Sequence, residues 1–213
     1  DLLILLFGGG LRFTNVAWDD GAHLNPDERF LTIVNAEISG PDSPADYFDT
    51  RDSTLNPTNT GMDFVYGTAP VFAAKGIATW LHDGAQSGAQ PARGIVVGLD
   101  RIGVPLLDHQ GRPTFDAGYG SLFVGRAISA LVDIATIALV FELGRALRGR
   151  WVGLFAALAY AVCASAIQYA HFYVADPMLS LACAAALVAA VHLARGRGRG
   201  VLVLGAIAAG WAG

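Results

Sequence analysis

Residues 125–148 read GRAISALVDIATIALVFELGRALR, and this stretch decides the class of the fold. It is apolar for most of its length and ends in a cluster of arginines. An α-helix rises 1.5 Å per residue, so about 20 apolar residues cross the ~30 Å hydrocarbon core of a bilayer. The stretch therefore predicts a membrane helix over about 119–143.

Other apolar runs follow the same rule. They predict two further complete membrane helices, at about 151–170 and 177–194. Two more, at 1–12 and 201–213, are truncated by the ends of the sequence. Of the 213 residues, 54% are hydrophobic and 15% charged, a balance that favours a membrane protein. We therefore expect an all-α, polytopic transmembrane helical protein. Because the sequence starts and stops inside apolar runs, we expect it to be a fragment.

The arginine clusters predict the orientation in the membrane. Residues 144–150 (GRALRGR) and 194–200 (ARGRGRG) hold six of the 14 basic residues, and such clusters are typical of cytoplasmic loops. The large loop 13–118, with 14 of the 18 acidic residues, and the short turn HFYVADP at 171–177 then lie outside. The two acid-bearing segments are thus expected on one side of a plasma (inner) membrane that the chain crosses several times.

Two amphipathic helices are predicted in the outer loop. The segment HLNPDERFLTIV at 23–34 begins a helix over about 26–39, with Asn25 as N-cap and Pro26 in its first position. Its apolar stripe consists of Phe30, Ile33, Val34 and Ile38. A second helix over about 69–82 presents an interfacial face of Phe72, Ile77, Trp80 and Leu81.

Asp27 and Glu28 are the first candidates for chemistry. Carboxylates in the first turn of a helix compensate its unsatisfied amides, so capping alone explains the pair. A carboxylate held at a membrane surface is also suited to accept a proton from an attacking hydroxyl as a general base. The residues themselves leave both interpretations open.

Ionisable groups in or beside the apolar runs are the second set. Arg126 and Asp133 lie seven residues apart in one predicted span, where they share a helix face and partly neutralise each other, or where Arg126 binds a phosphate. Asp176, with His171 and Tyr173 in the same turn, either caps a helix or contacts a substrate. The two cysteines, Cys163 and Cys183, are expected to be small buried hydrophobes.

Several classes of protein lack support in the sequence. There is no P-loop, no G-x-S-x-G and no H-E-x-x-H motif. No basic face with interleaved aromatic residues indicates nucleic-acid binding. No set of side chains with the spacing of metal ligands stands out, so we expect no essential metal and no cofactor.

The order of these segments resembles a known family. An outer helix headed by Asp-Glu after the first span, then YGTAPVFAAKGIATWL at 66–81, then residues 125–179 from GRAISALVDIATIAL to YAHFYVADPML, is similar to the amino-terminal part of the C-type glycosyltransferases. Within them the closest likeness is to the protein-O-mannosyltransferase and aminoarabinose-transferase group, glycosyltransferase family 39. The likeness covers nearly the whole chain and depends on order and spacing more than on any single motif.

The resemblance implies a fold and an activity. The fold would be that of the C-type glycosyltransferases, truncated in this sequence. Such enzymes transfer a sugar from a polyprenyl-phosphate carrier, with inversion, to a protein or glycan acceptor hydroxyl on the outer face of the membrane. The lipid-linked sugar is then the donor substrate, and the extracytoplasmic side is the active face.

The resemblance also implies roles for individual residues. Asp27 corresponds to the catalytic base, with Glu28 beside it. Arg126 corresponds to the residue that holds the carrier phosphate, while Asp176 faces the substrate cavity and His171 and Tyr173 belong to the same turn. A polytopic transporter or lipid-carrier flippase, with the intramembrane charges lining a path, is the alternative of a different class.

Overall fold

The computed structural model describes residues 2–196 of the chain. Within that range all regular secondary structure is helical, apart from one antiparallel bridge between Leu107 and Pro113. The expected all-α fold is therefore confirmed for these residues. The predicted helix at 201–213 lies outside the described residues.

The chain folds as two compact units. The span unit comprises Asp1–Val16 and Arg126–Gly213, and the loop unit comprises Ala17–Gly125. Short 3-10 helices lie at Pro57–Thr60 and Tyr119–Ser121. The α-helices in chain order are α1 (Leu2–Phe13), α2 (Pro26–Glu37), α3 (Pro44–Phe48), α4 (Thr68–Ser87), α5 (Ala92–Arg101), α6 (Leu122–Arg148), α7 (Arg150–Ala161), α8 (Ala164–Ala170) and α9 (Asp176–Ala194).

Some of these helices are suited to a bilayer. Among the described residues, Tyr119–Arg148 and Asp176–Ala194 are each long and apolar enough to cross a membrane. The helices α7 and α8 add a third crossing if the pair counts as one span. The sequence predicts a continuous helix over 151–170, but the structure bends this segment by 59° between α7 and α8. A uniformly apolar run gives no signal for such a break, because composition is the same on both sides of it.

The helices α6 and α7 cross at two glycines. A Cβ on Gly144 would lie 2.9 Å from the Cα of Gly153, and a Cβ on Gly153 would lie 2.6 Å from the carbonyl oxygen of Phe141. The turn between the helices contains Gly149 with φ of 95°, in the left-handed region that favours glycine. Backbone therefore packs directly on backbone at this crossing.

Replacing Gly153 with alanine is expected to destabilise the protein by about 2 kcal/mol, because the added methyl group displaces a neighbouring backbone. The matched control is Gly98→Ala in α5, where an added Cβ meets no atom within 4 Å. Alanine is the better helix former, so this control should be neutral or stabilising. Thermal unfolding of the full chain in nanodiscs measures both variants. Equal midpoints for the two would contradict the packing described.

The loop unit has its own apolar core. On α2 the fully buried side chains include Leu31, which the predicted stripe omits, and Val34; Ile38, directly after the helix, is buried as well. The predicted members Phe30 and Ile33 are only partly buried. The neighbours of a helix in a folded unit bury a wider part of its surface than a single apolar stripe, which explains why Leu31 is buried as well. The buried face of α4 consists of Val71, Ala74, Ala78, Leu81 and Ala85.

The interfacial face predicted for α4 is divided in the structure. Leu81 belongs to the buried face at 2% exposure, whereas Ile77 and Trp80 are exposed at 38% and 48%. The helix packs against α5 and α2, and these contacts cover the side that carries Leu81. Only Ile77 and Trp80 therefore remain as exposed apolar residues of the predicted face, with Phe72 half-buried.

Candidate functional site

A buried ion pair lies in the span unit. The Nε of Arg12 donates to Oδ2 of Asp133 at 2.5 Å, and the hydroxyl of Tyr160 donates to Oδ1 at 2.6 Å. Arg12 is fully buried and Asp133 is 2% exposed. Both carboxylate oxygens thus accept hydrogen bonds, from α1 on one side and from α7 on the other. The pair joins α1, α6 and α7 within apolar surroundings.

Arg12 also donates hydrogen bonds to backbone carbonyls at the break between α7 and α8. Its Nη1 donates to the carbonyls of Gly8 and Ala161, each at 3.0 Å, and its Nη2 reaches the carbonyl of Tyr160 at 3.4 Å. Carbonyls at the end of a helix have lost their partners within the helix, and hydrocarbon offers none. One guanidinium therefore neutralises a carboxylate and stabilises a helix end at the same time.

This arrangement differs from the pairing that the sequence suggests for Asp133. The structure gives Asp133 the partner Arg12, 121 positions away, rather than relying on Arg126 in the same helix. Arg126 is fully buried as well, and its Nη1 donates to the carbonyl of Val16 at 2.7 Å. Helical spacing detects only neighbours along one helix, so it missed the tertiary partner. An arginine in the last turn of an apolar helix was the available signal.

A cavity with both polar and apolar lining opens at the helix break. It has a volume of about 250 Å³ and is called the break cavity. Asp133 and Tyr160 form one side of it, next to Arg12. The remaining lining comes from α8, the start of α9 and the residues between α7 and α8: Cys163, Ser165, Ala166, Tyr169, Asp176, Pro177 and Ser180.

Of the predicted residues in the turn before α9, only Asp176 lines this cavity. The ring nitrogens of His171 contact the carbonyl oxygens of Ile167 at 2.7 Å and of Thr14 at 2.8 Å. Tyr173 is 1% exposed. His171 and Tyr173 thus fix the turn, whereas the carboxylate of Asp176, in the first residue of α9, is exposed.

The cysteines do not fit their prediction. Cys163 and Cys183 are both free and both exposed. Cys163 borders the break cavity, and Cys183 lies in α9 outside that cavity. Apolar flanking residues suggested burial, but in a membrane helix an apolar neighbourhood is equally typical of a face that contacts lipid.

In the loop unit, Asp27 is fixed at the start of α2. The side-chain oxygen of Asn25 accepts hydrogen bonds from the backbone amides of Asp27 and Glu28 at 3.0 and 3.1 Å, which confirms the predicted cap. The Oδ1 of Asp27 accepts a hydrogen bond from the hydroxyl of Tyr66 at 2.7 Å. The carboxylate of Asp27 is therefore exposed to solvent yet held in one orientation.

Tyr66 is a contributor that the sequence did not reveal. Its ring packs with Phe30 and Phe64 at centroid distances of 5.8 and 6.2 Å. Phe30 and Phe64 stack on each other at 6.3 Å. The aromatic cluster holds the tyrosine in place, 39 residues after the carboxylate that it contacts. Only tertiary folding creates this pair.

Asp27 and Glu28 occupy different environments. Glu28 is fully buried, whereas Asp27 is exposed. Consecutive residues of a helix point about 100° apart, so one faces the core of the loop unit and the other faces out. The side chain of His23 has partners of its own: its ring stacks on Tyr119 at 4.4 Å, and its Nδ1 lies 3.2 Å from the hydroxyl of Thr32. Of these groups, Asp27 is the one that a substrate reaches directly.

A lysine stabilises the other end of α2. The Nζ of Lys75 donates to the carbonyl of Asn35, in the last turn of α2, at 2.7 Å. Partial burial lowers the pKa of Lys75 below its ordinary value of 10.5, while the charge of Asp116 opposes that shift. A cation at a helix C-terminus is favourable, so α2 is held electrostatically at both ends.

Metal ligation has no visible basis in this part of the chain. Between residues 2 and 196, no three His, Cys, Asp or Glu side chains are grouped so that they could hold an ion.

Compared with models of known protein families, with curated proteins and with solved structures, the chain has no significant match in any of the three. The family resemblance accordingly stays a prediction, and the geometry of the residues must support any function.

Proposed function

We propose that this chain is, or belongs to, a membrane glycosyltransferase that uses a polyprenyl-phosphate-linked sugar as donor. The observation that carries the proposal is the exposed, oriented carboxylate of Asp27 in a chain with helices fit to cross a membrane. A lipid-linked donor requires chemistry at a bilayer surface, and an acceptor hydroxyl requires a base. The likeness to the C-type glycosyltransferases supports the same conclusion.

In this proposal Asp27 accepts the proton of the acceptor hydroxyl. Its Oδ1 is held by Tyr66, and its Oδ2 makes no hydrogen bond within residues 2–196, so that oxygen is available to the incoming proton. The hydroxyl oxygen attacks the anomeric carbon from the face opposite the leaving group, which gives inversion. The polyprenyl phosphate leaves as an anion. Glu28 is too deeply buried to share this proton transfer and serves the packing of α2 instead.

The remaining predicted residues have supporting roles in the proposal. The resemblance assigns Arg126 to the carrier phosphate; because its guanidinium is fully buried, it would act through its positive charge rather than by direct contact. Asp176, with His171 and Tyr173 in the same turn, is assigned to substrate contact by the resemblance alone. The chain would reside in the plasma (inner) membrane as a multi-pass protein with its active face outside, and protein or glycan would be the acceptor.

The alternative is a transporter or lipid-carrier flippase. The observation that favours it is the Arg12–Asp133 pair beside the break cavity, because charges at membrane depth often mark a substrate path. In that case the donor lipid would cross the membrane without being cleaved. The loop unit, with its fixed carboxylate, would then have no chemical role.

A single assay separates the two functions. Proteoliposomes with the full chain are supplied with polyprenyl-phosphate sugars labelled in the sugar, together with hydroxyl acceptors. We expect release of unglycosylated polyprenyl phosphate and transfer of the label to an acceptor. Protein-free liposomes are the control. Movement of intact donor between leaflets without cleavage would instead identify a flippase and exclude the transferase.

A further inference from the structure

Positive charge collects in the span unit where α6 ends and α7 begins. Arg148 and Arg150 are exposed, and their guanidinium groups make no hydrogen bond or ion pair with any residue between 2 and 196. Arg195, which follows α9, is exposed at the same place, because its Nη2 donates to the carbonyl of Leu147 at 3.3 Å. These three arginines form the arginine patch.

The acids of the neighbouring helices do not neutralise the patch. From residue 134 to residue 196 the sequence contains two acids, Glu142 and Asp176. Glu142 accepts two hydrogen bonds from Arg145, each at 2.7 Å, so its charge is already compensated. Asp176 begins α9, at the end of that helix opposite to Arg195. The patch therefore keeps a positive charge that favours an anion.

A row of large apolar side chains on α7 begins beside the patch. Trp151 is 74% exposed and Phe155 is 70% exposed. The row continues at spacings of three and four residues, so its members share one face of the helix. At 1.5 Å per residue it extends about 16 Å along the axis. This α7 stripe consists of Trp151, Phe155, Leu158 and, directly after the helix, Val162.

The opposite face of α7 is buried and carries small residues. Gly153, Ala157 and Ala161 lie there, and Gly153 packs against the backbone of α6. A helix of a water-soluble protein buries its large apolar side chains instead. Small residues inside are typical of membrane helices, whose backbones approach closely. Because α7 and α8 together are apolar enough to count as one span, the stripe is suited to contact hydrocarbon.

The patch and the stripe together fit one class of molecule. Guanidinium groups bind phosphate oxygens well, and tryptophan is enriched where lipid headgroups meet hydrocarbon. A length of about 16 Å is close to the depth of one leaflet, which is half of the ~30 Å hydrocarbon core. A zwitterionic phospholipid brings a quaternary ammonium that the arginines repel, whereas an anionic phospholipid does not. A free phosphate would leave the stripe uncovered.

We propose that the arginine patch and the α7 stripe together bind an anionic phospholipid. The guanidinium groups of Arg148 and Arg150 donate to its phosphodiester oxygens, Trp151 lies at the level of the headgroup, and an acyl chain lies along the stripe. No bond is made or broken. The site lies at the end of α7 opposite to the break cavity, and it does not depend on the proposed transferase activity.

Trp151 gives a readout within the native chain. Bromine on an acyl chain quenches tryptophan fluorescence on contact. The full chain is placed in phosphatidylcholine nanodiscs that contain either brominated phosphatidylglycerol or brominated phosphatidylcholine at equal mole fractions. The chain has four tryptophans, so Trp151→Phe identifies the part of the quenching that comes from the stripe.

We expect brominated phosphatidylglycerol to quench more strongly than brominated phosphatidylcholine, and Trp151→Phe to remove the difference. In Arg148→Gln, and likewise in Arg150→Gln, the binding constant of phosphatidylglycerol relative to phosphatidylcholine should fall about five-fold, because each arginine near the surface attracts anionic lipid. The matched control is Arg101→Gln, an exposed arginine in the last turn of α5, which should leave the ratio unchanged.

Four results would overturn the proposal. Equal quenching by the two lipids would mean that the headgroup is not recognised. No quenching of Trp151 by either lipid would mean that protein covers the stripe, whether a second copy or another part of the chain. Displacement of brominated phosphatidylglycerol by less polyprenyl phosphate than unlabelled phosphatidylglycerol would indicate a carrier site. An unchanged preference in Arg148→Gln/Arg150→Gln, with native circular dichroism, would remove the arginines from the site.

Discussion

Asp27→Asn is expected to lower the turnover number of sugar transfer by about a thousand-fold, the typical size of a general-base contribution. The asparagine has nearly the same shape and still offers an oxygen to the hydroxyl of Tyr66. The helix start is retained because Asn25 caps it through backbone amides. What is lost is the ability to accept a proton. The KM for the donor should therefore change little, while the initial rate of transfer falls.

The chain contains a matched control for this experiment. Asp46 lies in the first turn of α3, exposed, with the hydroxyl of Ser43 accepting from its backbone amide at 3.2 Å. It reproduces the helix-start environment of Asp27 without an aromatic hydrogen-bond donor. Asp46→Asn should leave transfer unchanged. Tyr66→Phe should give an intermediate loss, because the carboxylate stays but is no longer oriented. Full transfer activity in Asp27→Asn would exclude Asp27 as the base.

The contrast between Asn25 and Tyr66 shows which parts of the site are predictable from sequence. A helix cap is a contact over two or three residues, so the segment NPDE is sufficient to predict the cap at Asn25. The hydrogen bond from Tyr66 to Asp27 depends on the packing of Phe30 and Phe64, which brings distant residues together. Local spacing carries no information about such contacts. Asp27 was thus identified as a candidate, but what orients it was not.

The span unit shows the same limit for the fold. Length and apolar composition were sufficient to predict helices able to cross a membrane. They were not sufficient to predict the 59° bend after α7, because the exposed carbonyls at a break require a partner from elsewhere. Arg12 provides that partner from α1. The break and its stabilising arginine therefore form one feature that becomes visible only in three dimensions.

The largest expected effect on stability follows from Arg12. Arg12→Met removes the guanidinium but keeps an unbranched chain of similar length, leaving Asp133 as a buried carboxylate with Tyr160 alone and the carbonyl of Ala161 without its donor. Breaking a buried pair from one side costs about 3–5 kcal/mol. We expect a corresponding fall in the thermal midpoint of the full chain in nanodiscs, together with faster proteolysis near the break at 161–164.

A second substitution distinguishes the ion pair from a mere loss of packing. In Arg12→Met/Asp133→Leu no charge is left buried, and hydrophobic replacement of such pairs is often neutral or stabilising, so most of the lost stability should return. The comparison pair is Arg145 and Glu142 at the end of α6, where Arg145 is exposed and Glu142 is partly buried. Arg145→Gln should leave the midpoint unchanged, because solvent screens that interaction. If the double variant is as unstable as Arg12→Met, the stability comes from the carbonyl contacts at the break and not from the charge of Asp133.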